Sequence, residues 1–227
     1  IYDIGEHDNA VYEERALEIL REIGAARPAA VVEMNLGVKA YAEGRWRDAT
    51  RLYSHARDEF ERLGDSTQAA HAGANLGEVL VSRGSLDEAE TVLSEAQRTL
   101  RASEFLFAAV FCEVQLARLA IARGDLPTAI EDLTRSVDEA RSLGNVGYAV
   151  GASIHLAEAF IVSKEPERAL EELARAAQLV EHDASPLHAP LARTRATALI
   201  ERGDLATAAD ELASALTLAR TQKLAYE

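Results

Sequence analysis

The segment Gly84-Ser85-Leu86-Asp87-Glu88-Ala89 recurs along the whole chain at an almost constant interval. Its last residue has counterparts at steps of 39 or 40 residues, and together they form an alanine column: Ala10, Ala49, Ala89, Ala129, Ala169 and Ala208. A glycine stands five residues before five of these alanines: Gly5, Gly44, Gly84, Gly124 and Gly203. Lys164 takes that place before Ala169. Self-similarity at this period is typical of a solenoid of stacked units and argues against a globule with a catalytic cleft.

Each copy of the segment predicts a turn between two helices. Glycine is the residue that most easily takes the left-handed conformation at the end of a helix, so the glycine marks a helix end. Polar residues that follow it are predicted to cap the next helix: Ser85, Asp125 and Asp204. Ser85 and Glu88 have the spacing of a capping box. Runs of acidic residues such as Glu171-Glu172 indicate solvated outer helix faces.

Apolar residues lie at helical spacing on both sides of every turn, and no strand pattern is present. Upstream of each turn stands a leucine followed by a small residue, as in Leu36-Gly37 and Leu76-Gly77. The pattern predicts eleven helices, with a leading helix over about 6–24. We expect residues 1–227 to form one solenoid, which begins with the tail of a truncated repeat and continues with five helix pairs. The predicted boundaries are 1–26 for the tail and about 27–64, 65–103, 104–144, 145–184 and 185–223 for the repeats.

Composition excludes several classes of function. The net charge of −14 disfavours nucleic-acid binding, which requires a basic surface. No apolar run is long enough to predict a membrane span, and no basic-then-apolar leader predicts secretion. Because the chain starts at Ile1 inside a helical pattern, we expect a fragment of a longer cytoplasmic protein. Cys112 has no partner for a disulfide within the chain.

Motifs for catalysis, metals and nucleotides are missing from the sequence. The six histidines form no pair at a spacing of four, and no Cys-x-x-Cys motif accompanies them, so no metal site is predicted. Neither glycine-rich phosphate-binding motif occurs, and no cofactor is predicted. Cys112 is expected to be a small buried hydrophobe and not a nucleophile. We therefore expect this segment not to be an enzyme, although a parent protein could carry a cyclase or ATPase domain.

The recurring Leu-Gly or Leu-Ala pair, the glycine turn and the alanine column resemble the tetratricopeptide repeat. The resemblance covers essentially the whole chain, and the period of 40 in place of the commoner 34 is similar to the long-helix repeats of kinesin light chains and cell-polarity adaptors. The stretch from Asn75 to Ala89 is also similar to arrays at the C-terminal ends of bacterial signalling proteins, including nucleotide cyclases and ATPase-linked transcription regulators. The resemblance implies an all-α, right-handed solenoid of antiparallel helix pairs.

A second column of polar residues precedes the leucine of each pair at intervals of forty: Asn35, Asn75, Gln115 and His155. In the long-repeat relatives an asparagine here faces the concave groove and bonds the backbone of a bound peptide, which suits an amide because it donates and accepts. The alternative is that these residues bond neighbouring helices and hold the solenoid in shape, and this reading is favoured for His155. The same alignment assigns further groove residues: Met34, Tyr41, His71, Glu78, Phe111, Arg118, Glu158 and Arg193. Valines, isoleucines and Ala74 complete an apolar groove, of which about half is expected to be core.

These features together predict a protein- or peptide-binding regulatory or scaffold module of a larger bacterial signal-transduction protein. One alternative is a peptide-pheromone receptor of a quorum-sensing regulator, in which a similar array encloses a short signal peptide. Another is self-assembly, because the ends of a cut solenoid expose apolar faces that can form a homodimer.

Overall fold

The computed structural model describes residues 6–180 and 187–222, and within these ranges the chain is helical with no strand. Eleven helices follow one another: α1 (Glu6–Glu22), α2 (Ala26–Ala42), α3 (Trp46–Arg62), α4 (Ser66–Ser82), α5 (Leu86–Ala102), α6 (Leu106–Arg123), α7 (Leu126–Ser142), α8 (Val146–Val162), α9 (Pro166–Leu179), α10 (His188–Arg202) and α11 (Leu205–Gln222). The number and order of the helices confirm the all-α prediction. Gly5, His182 and the predicted loop at 183–186 lie outside the described residues, as does the side chain of Ala10.

The turns recur every 20 residues over most of the chain, which is half the period of the alanine column. Residues with positive φ follow the helices at Gly24, Gly44, Gly64, Gly84, Glu104, Gly124, Gly144 and Lys164, and again at Gly203. Lys164 has φ 62° and its amide donates to Ile161 at 3.0 Å, the bond that Gly84 makes to Val81 at the same distance. The predicted helix ends are confirmed, and Lys164 forms the same left-handed turn as the glycines it replaces.

Side-chain caps form at some helix starts and not at others. Asp125 and Asp204 accept from the amides of Thr128 and Thr207, each at 3.4 Å, as predicted. Ser85 makes no side-chain cap bond, so the predicted capping box is wrong. Ser85 and Asp125 have similar backbone conformations, with ψ 62° and 69°. From that conformation the carboxylate of Asp125 reaches the helix amides, whereas the shorter hydroxyl of Ser85 does not.

The alanine column and the small residues of the Leu-Gly pairs form the contact between the two helices of a repeat. Ala49, Ala89, Ala129 and Ala169 are completely buried. A Cβ atom added to Gly77 would lie 2.4 Å from the side chain of Leu93 on the partner helix. Because such a distance is far below van der Waals contact, the backbones of α4 and α5 approach as closely as glycine allows. The predicted core role of both columns is confirmed.

The chain divides into two compact units, Ile1–Ala108 and Ala109–Glu227, with the division inside α6. In the first unit α1 to α5 pack in chain order, and α2 also contacts α4. Its core contains a cluster around Phe60: Ala30, Met34, Ala56, Phe60, Ala69 and Ala72. In the second unit α7 to α11 pack in chain order, and α8 also contacts α10. Its core includes Leu133, Val150, Phe160 and Leu173.

Candidate functional site

The predicted site residues lie on the first helix of each pair, at matching positions. In the first unit they come from α2 and α4, and the surface that they form is called here face 1: Asn35, Tyr41, His71, Asn75 and Glu78. In the second unit they come from α6, α8 and α10, and form face 2: Phe111, Arg118, His155, Glu158 and Arg193. Because α2 contacts α4 and α8 contacts α10, residues forty apart within a unit become neighbours in space.

Apart from Glu78, face 1 is a surface of polar and aromatic groups without a formal charge. Asn35 is exposed on α2, and Asn75 is half-buried on α4. The hydroxyl of Tyr41 lies 3.0 Å from Oγ of Ser82, which links α2 to α4. The ring of His71 meets the edge of Phe105, with centroids 5.3 Å apart. Burial lowers the pKa of His71, so this imidazole is neutral at pH 7.

Face 2 is centred on a charged cluster of Arg118, His155, Glu158 and Arg193. Nδ1 of His155 lies 2.7 Å from one oxygen of Glu158, and Arg193 lies 3.8 Å from the other. Arg118 donates to Oε1 of Gln115 at 2.6 Å on its own helix. The cluster therefore collects two guanidinium groups and one carboxylate from three successive first helices.

Electrostatics give this cluster a net positive charge at neutral pH. Burial lowers the pKa of His155, and the charges of Arg118 and Arg193 act in the same direction, although the bond with Glu158 opposes them. Burial disfavours the ionised form of Glu158, but its bond with His155 and the two arginines together hold the pKa of that carboxyl below its usual range. With His155 neutral and Glu158 ionised, the two arginines exceed the carboxylate by one charge.

Two predicted site residues do not reach a surface. Met34 is 7% exposed because it packs in the cluster around Phe60, and Gln115 is 2% exposed because its side chain turns along α6 toward Arg118. This placement corrects the prediction that they line a groove. Several of the predicted apolar lining residues are also core: Ala74, Val114, Ile154 and Ile161. By contrast, Val31 and Val38 are exposed.

Sequence reasoning missed the buried carboxylates, which within the described residues belong to Glu33, Glu113 and Glu172. Glu33 is 1% exposed, and its oxygens meet Nη2 of Arg21 at 2.5 Å and Nδ1 of His55 at 2.6 Å. Glu172 is also buried, which corrects its assignment to a solvated outer face. Ser153 and Arg175 donate to Glu172 at 2.6 Å each, which satisfies the buried charge. The sequence around Glu33 and Glu172 gave little indication of their burial, because the residues that bond them lie mostly on other helices.

No group of three or more His, Cys, Asp and Glu side chains that could hold a metal occurs in residues 6–180 and 187–222. In the same part of the chain, no helix has the length and apolar character that crossing a membrane would require. Burial, reinforced by the charge of Glu113, raises the pKa of the Cys112 thiol to about 12. This thiol is therefore protonated at neutral pH, as expected for a core residue.

Comparison with solved structures identifies the fold. Repeats of a putative kinesin light chain from Podosopora anserina, described as TPR-like, match 84% of this chain and 95% of their own with a TM-score of 0.59 and 17% identity. The chain has the tetratricopeptide-repeat fold. A Rap protein complexed with Competence and Sporulation Factor matches these tetratricopeptide repeats over 89% of the chain, with a TM-score of 0.77 and 16% identity.

A second Rap structure, the conjugation gene regulator of plasmid pLS20 in complex with the Phr* peptide, matches 86% of the chain with a TM-score of 0.74 and 16% identity. The tetratricopeptide repeats described here span 58% and 54% of the lengths of these two Rap chains. No protein-family model matches the sequence, and no curated protein is significantly similar to it.

Proposed function

We propose that this chain is a peptide- or protein-binding regulatory module, and that face 2 recognises an acidic group of its ligand. The observation that carries the proposal is the charged cluster, in which Arg118 and Arg193 outnumber Glu158 on a chain of net charge −14. Guanidinium groups recognise carboxylates through paired hydrogen bonds, so an aspartate, a glutamate or a C-terminal carboxylate suits this position.

Face 1 supplies a different kind of contact in this proposal. Asn35 and Asn75 are accessible, and an amide donates and accepts together, as recognition of an extended peptide backbone requires. The fold likeness to a Rap regulator complexed with the Phr* peptide supports peptide binding as the function class. The parent is proposed to be a cytoplasmic bacterial signalling protein such as a nucleotide cyclase or transcription regulator, with residues 1–227 as one repeat domain.

The second candidate is a receptor for a signalling peptide, the role in which a similar array encloses a short pheromone. The same two Rap structures favour it, since both match most of this chain. The full-length gene sequence distinguishes the candidates: a cyclase or ATPase domain supports the first, and a short helix-turn-helix domain supports the second.

A displayed peptide library selected on this chain tests the binding proposal. We expect enriched peptides to carry an acidic residue, and we expect Arg118→Ala with Arg193→Ala to weaken their binding by about tenfold or more, because two charge-assisted bonds are lost. Arg135→Ala is the control, since Arg135 lies on the second helix α7 and pairs with Asp132. Unchanged affinity in the folded double variant, measured by fluorescence polarisation, would refute a role for face 2.

A further inference from the structure

One side of α1 carries an apolar stripe that is largely exposed. Its large residues are Tyr12, Ile19 and Ile23, which are 63%, 43% and 69% exposed. With the half-buried Ala16 they follow the spacing i, i+4, i+7 and i+11, which places them in one line along a helix. The amide of Ile23 still donates to the carbonyl of Ile19 at 3.0 Å, so the line continues past the last residue of α1. This is the spacing of a helix that packs against another helix.

The stripe is not the surface by which a second helix packs against the first helix of its pair. The helices α1, α3, α5, α7 and α9 begin at intervals of forty residues. At the eighth position of α5, Leu93 packs against Gly77 of α4. The equivalent residues of the other helices are also buried: Tyr53, Leu133 and Leu173. In α1 the eighth position is Glu13. A first helix of this repeat would meet a carboxylate there, so the stripe suits a partner of another kind.

The apolar character of the stripe is also specific to α1. The equivalents of Ile19 in three other second helices are polar: Glu59, Thr99 and Glu139. In α9 the equivalent is Leu179, which is 38% exposed, but the position of Tyr12 is taken there by the buried acid Glu172. Among these helices α1 alone has a line of exposed apolar residues within the described part of the chain.

The spacing of the stripe makes it complementary to itself. Successive members are four, three and four residues apart, and this order is the same in both directions. Two copies of α1 that run antiparallel therefore match along their whole length, about a twofold axis between residues 17 and 18. Tyr12 of one copy then meets Ile23 of the other, and Ala16 meets Ile19.

Charges beside the stripe favour the same arrangement. Arg15 and Glu22 are exposed and lie seven residues apart on one flank. In the antiparallel pair each Arg15 faces Glu22 of the other copy, which gives two ion pairs, whereas a parallel pair places Arg15 opposite Leu20. On the second flank of the antiparallel pair Glu13 faces Leu20, so no like charges meet. Arg15 already contacts Glu18 of its own helix, but both groups are more than 60% exposed and such a contact is easily exchanged.

We propose that α1 is a self-association surface, through which two copies of this chain form an antiparallel helix pair. The twofold axis uses the same patch on both copies, as in most homodimers. A single pair of short helices buries little surface, so the dimer is weak and forms at high protein concentration. Because α1 contributes to neither face 1 nor face 2, this association does not depend on peptide binding.

Sedimentation equilibrium of the 227-residue chain, at concentrations up to about 1 mM because the interface is small, measures the association. We expect Ile19→Glu to weaken it by about tenfold or more, because the carboxylate would be buried without a partner. Glutamate occupies the equivalent positions of α3 and α7, so the fold accepts it. Leu179→Glu is the matched control: it makes the same change at the equivalent exposed position of α9 and should leave the association unchanged.

Charge reversal tests the antiparallel orientation. Glu22→Arg should weaken the association by about threefold, because two attractive pairs become repulsive, and the addition of Arg15→Glu should restore it. Circular dichroism verifies that each variant is folded. The proposal is overturned if the wild type is a monomer at every concentration or if Ile19→Glu associates as tightly as the wild type. It is equally overturned if the double reversal associates no better than Glu22→Arg alone.

Discussion

Gly77 packs directly against Leu93, and a Cβ atom at residue 77 would lie only 2.4 Å from Cγ of that leucine. Alanine is ordinarily better than glycine inside a helix by about 1 kcal/mol. Here the added methyl group overpacks a contact between α4 and α5. We expect Gly77→Ala to destabilise the protein by about 1–2 kcal/mol, because overpacking outweighs the gain in helix propensity.

The same substitution at Gly151 is the matched control for Gly77. Gly151 is also inside a helix, but a Cβ there would meet nothing within 4 Å. Gly151→Ala is therefore expected to stabilise by about 0.5–1 kcal/mol. Urea unfolding of the two variants checks both signs, and a gain in stability at residue 77 would contradict the close packing of this repeat.

Lys164 holds a left-handed turn at φ 62°, where the other repeats use glycine. A residue with a Cβ is strained there by about 1–2 kcal/mol. Lys164 also pairs with Glu201 at 2.8 Å, an exposed contact of small worth. We expect Lys164→Gly to raise the free energy of unfolding by about 1 kcal/mol. Lys164→Ala removes the ion pair and keeps the strain, so equal stabilities of the two variants would refute the explanation.

The alanine column should tolerate no larger side chain. Ala89 and Ala129 are completely buried, and leucine at either position should cost about 1–3 kcal/mol through overpacking. Glu171→Leu places the same side chain on an exposed position of α9 and should cost little. Similar melting temperatures for the inner and outer variants, measured by circular dichroism, would mean that the repeat register is wrong.

Stability should fall as the pH drops below neutral, and His155 should contribute to this loss. Its pKa in the folded state is lower than in the unfolded chain, chiefly because it is buried. The unfolded state therefore binds more protons, and the contribution of His155 is complete above the unfolded pKa of about 6.5 and is lost progressively below it. Urea unfolding at pH 7 and pH 5.5 should show a smaller loss for His155→Asn than for the wild type.

In the wild type, Glu158 acts in a lower range of pH than His155. Its folded pKa is lowered, so its contribution is present above the unfolded value and disappears as the pH falls through the folded one. His71 is present in both the wild type and the His155→Asn variant, so its contribution to the pH dependence cancels in the comparison. An identical pH dependence in the wild type and His155→Asn would show that the imidazole is equally easy to protonate in the folded and unfolded chains.

The fold could be predicted from the sequence because the repeat is local and periodic. Glycine, leucine and alanine at fixed spacing give the turns, the buried stripes and the helix count without reference to distant residues. The predicted boundaries also put turns near Glu104 and at Lys164, although neither residue type by itself marks a left-handed turn.

The candidate site was predicted less completely, because burial depends on neighbours that no local pattern specifies. The alignment assigned Asn35 and Asn75 to one face, and it listed His155 and Glu158 as groove residues without predicting that they bond each other. It did not predict the buried acids Glu33 and Glu172, whose bonds run mainly to other helices. Whether the amide column binds a partner remains a prediction.

Seven of the eleven helices have 17 residues, and the left-handed turns keep that length constant through most of the chain. Removing one residue inside a helix would rotate everything after it by about 100° and carry the apolar stripe away from its partner. Removing forty residues, which is one whole repeat, would leave each remaining helix with the same kinds of neighbouring contacts. Unequal recombination between copies can therefore lengthen or shorten such a gene in steps of 120 bases, whereas single-codon insertions and deletions inside its helices should be purged.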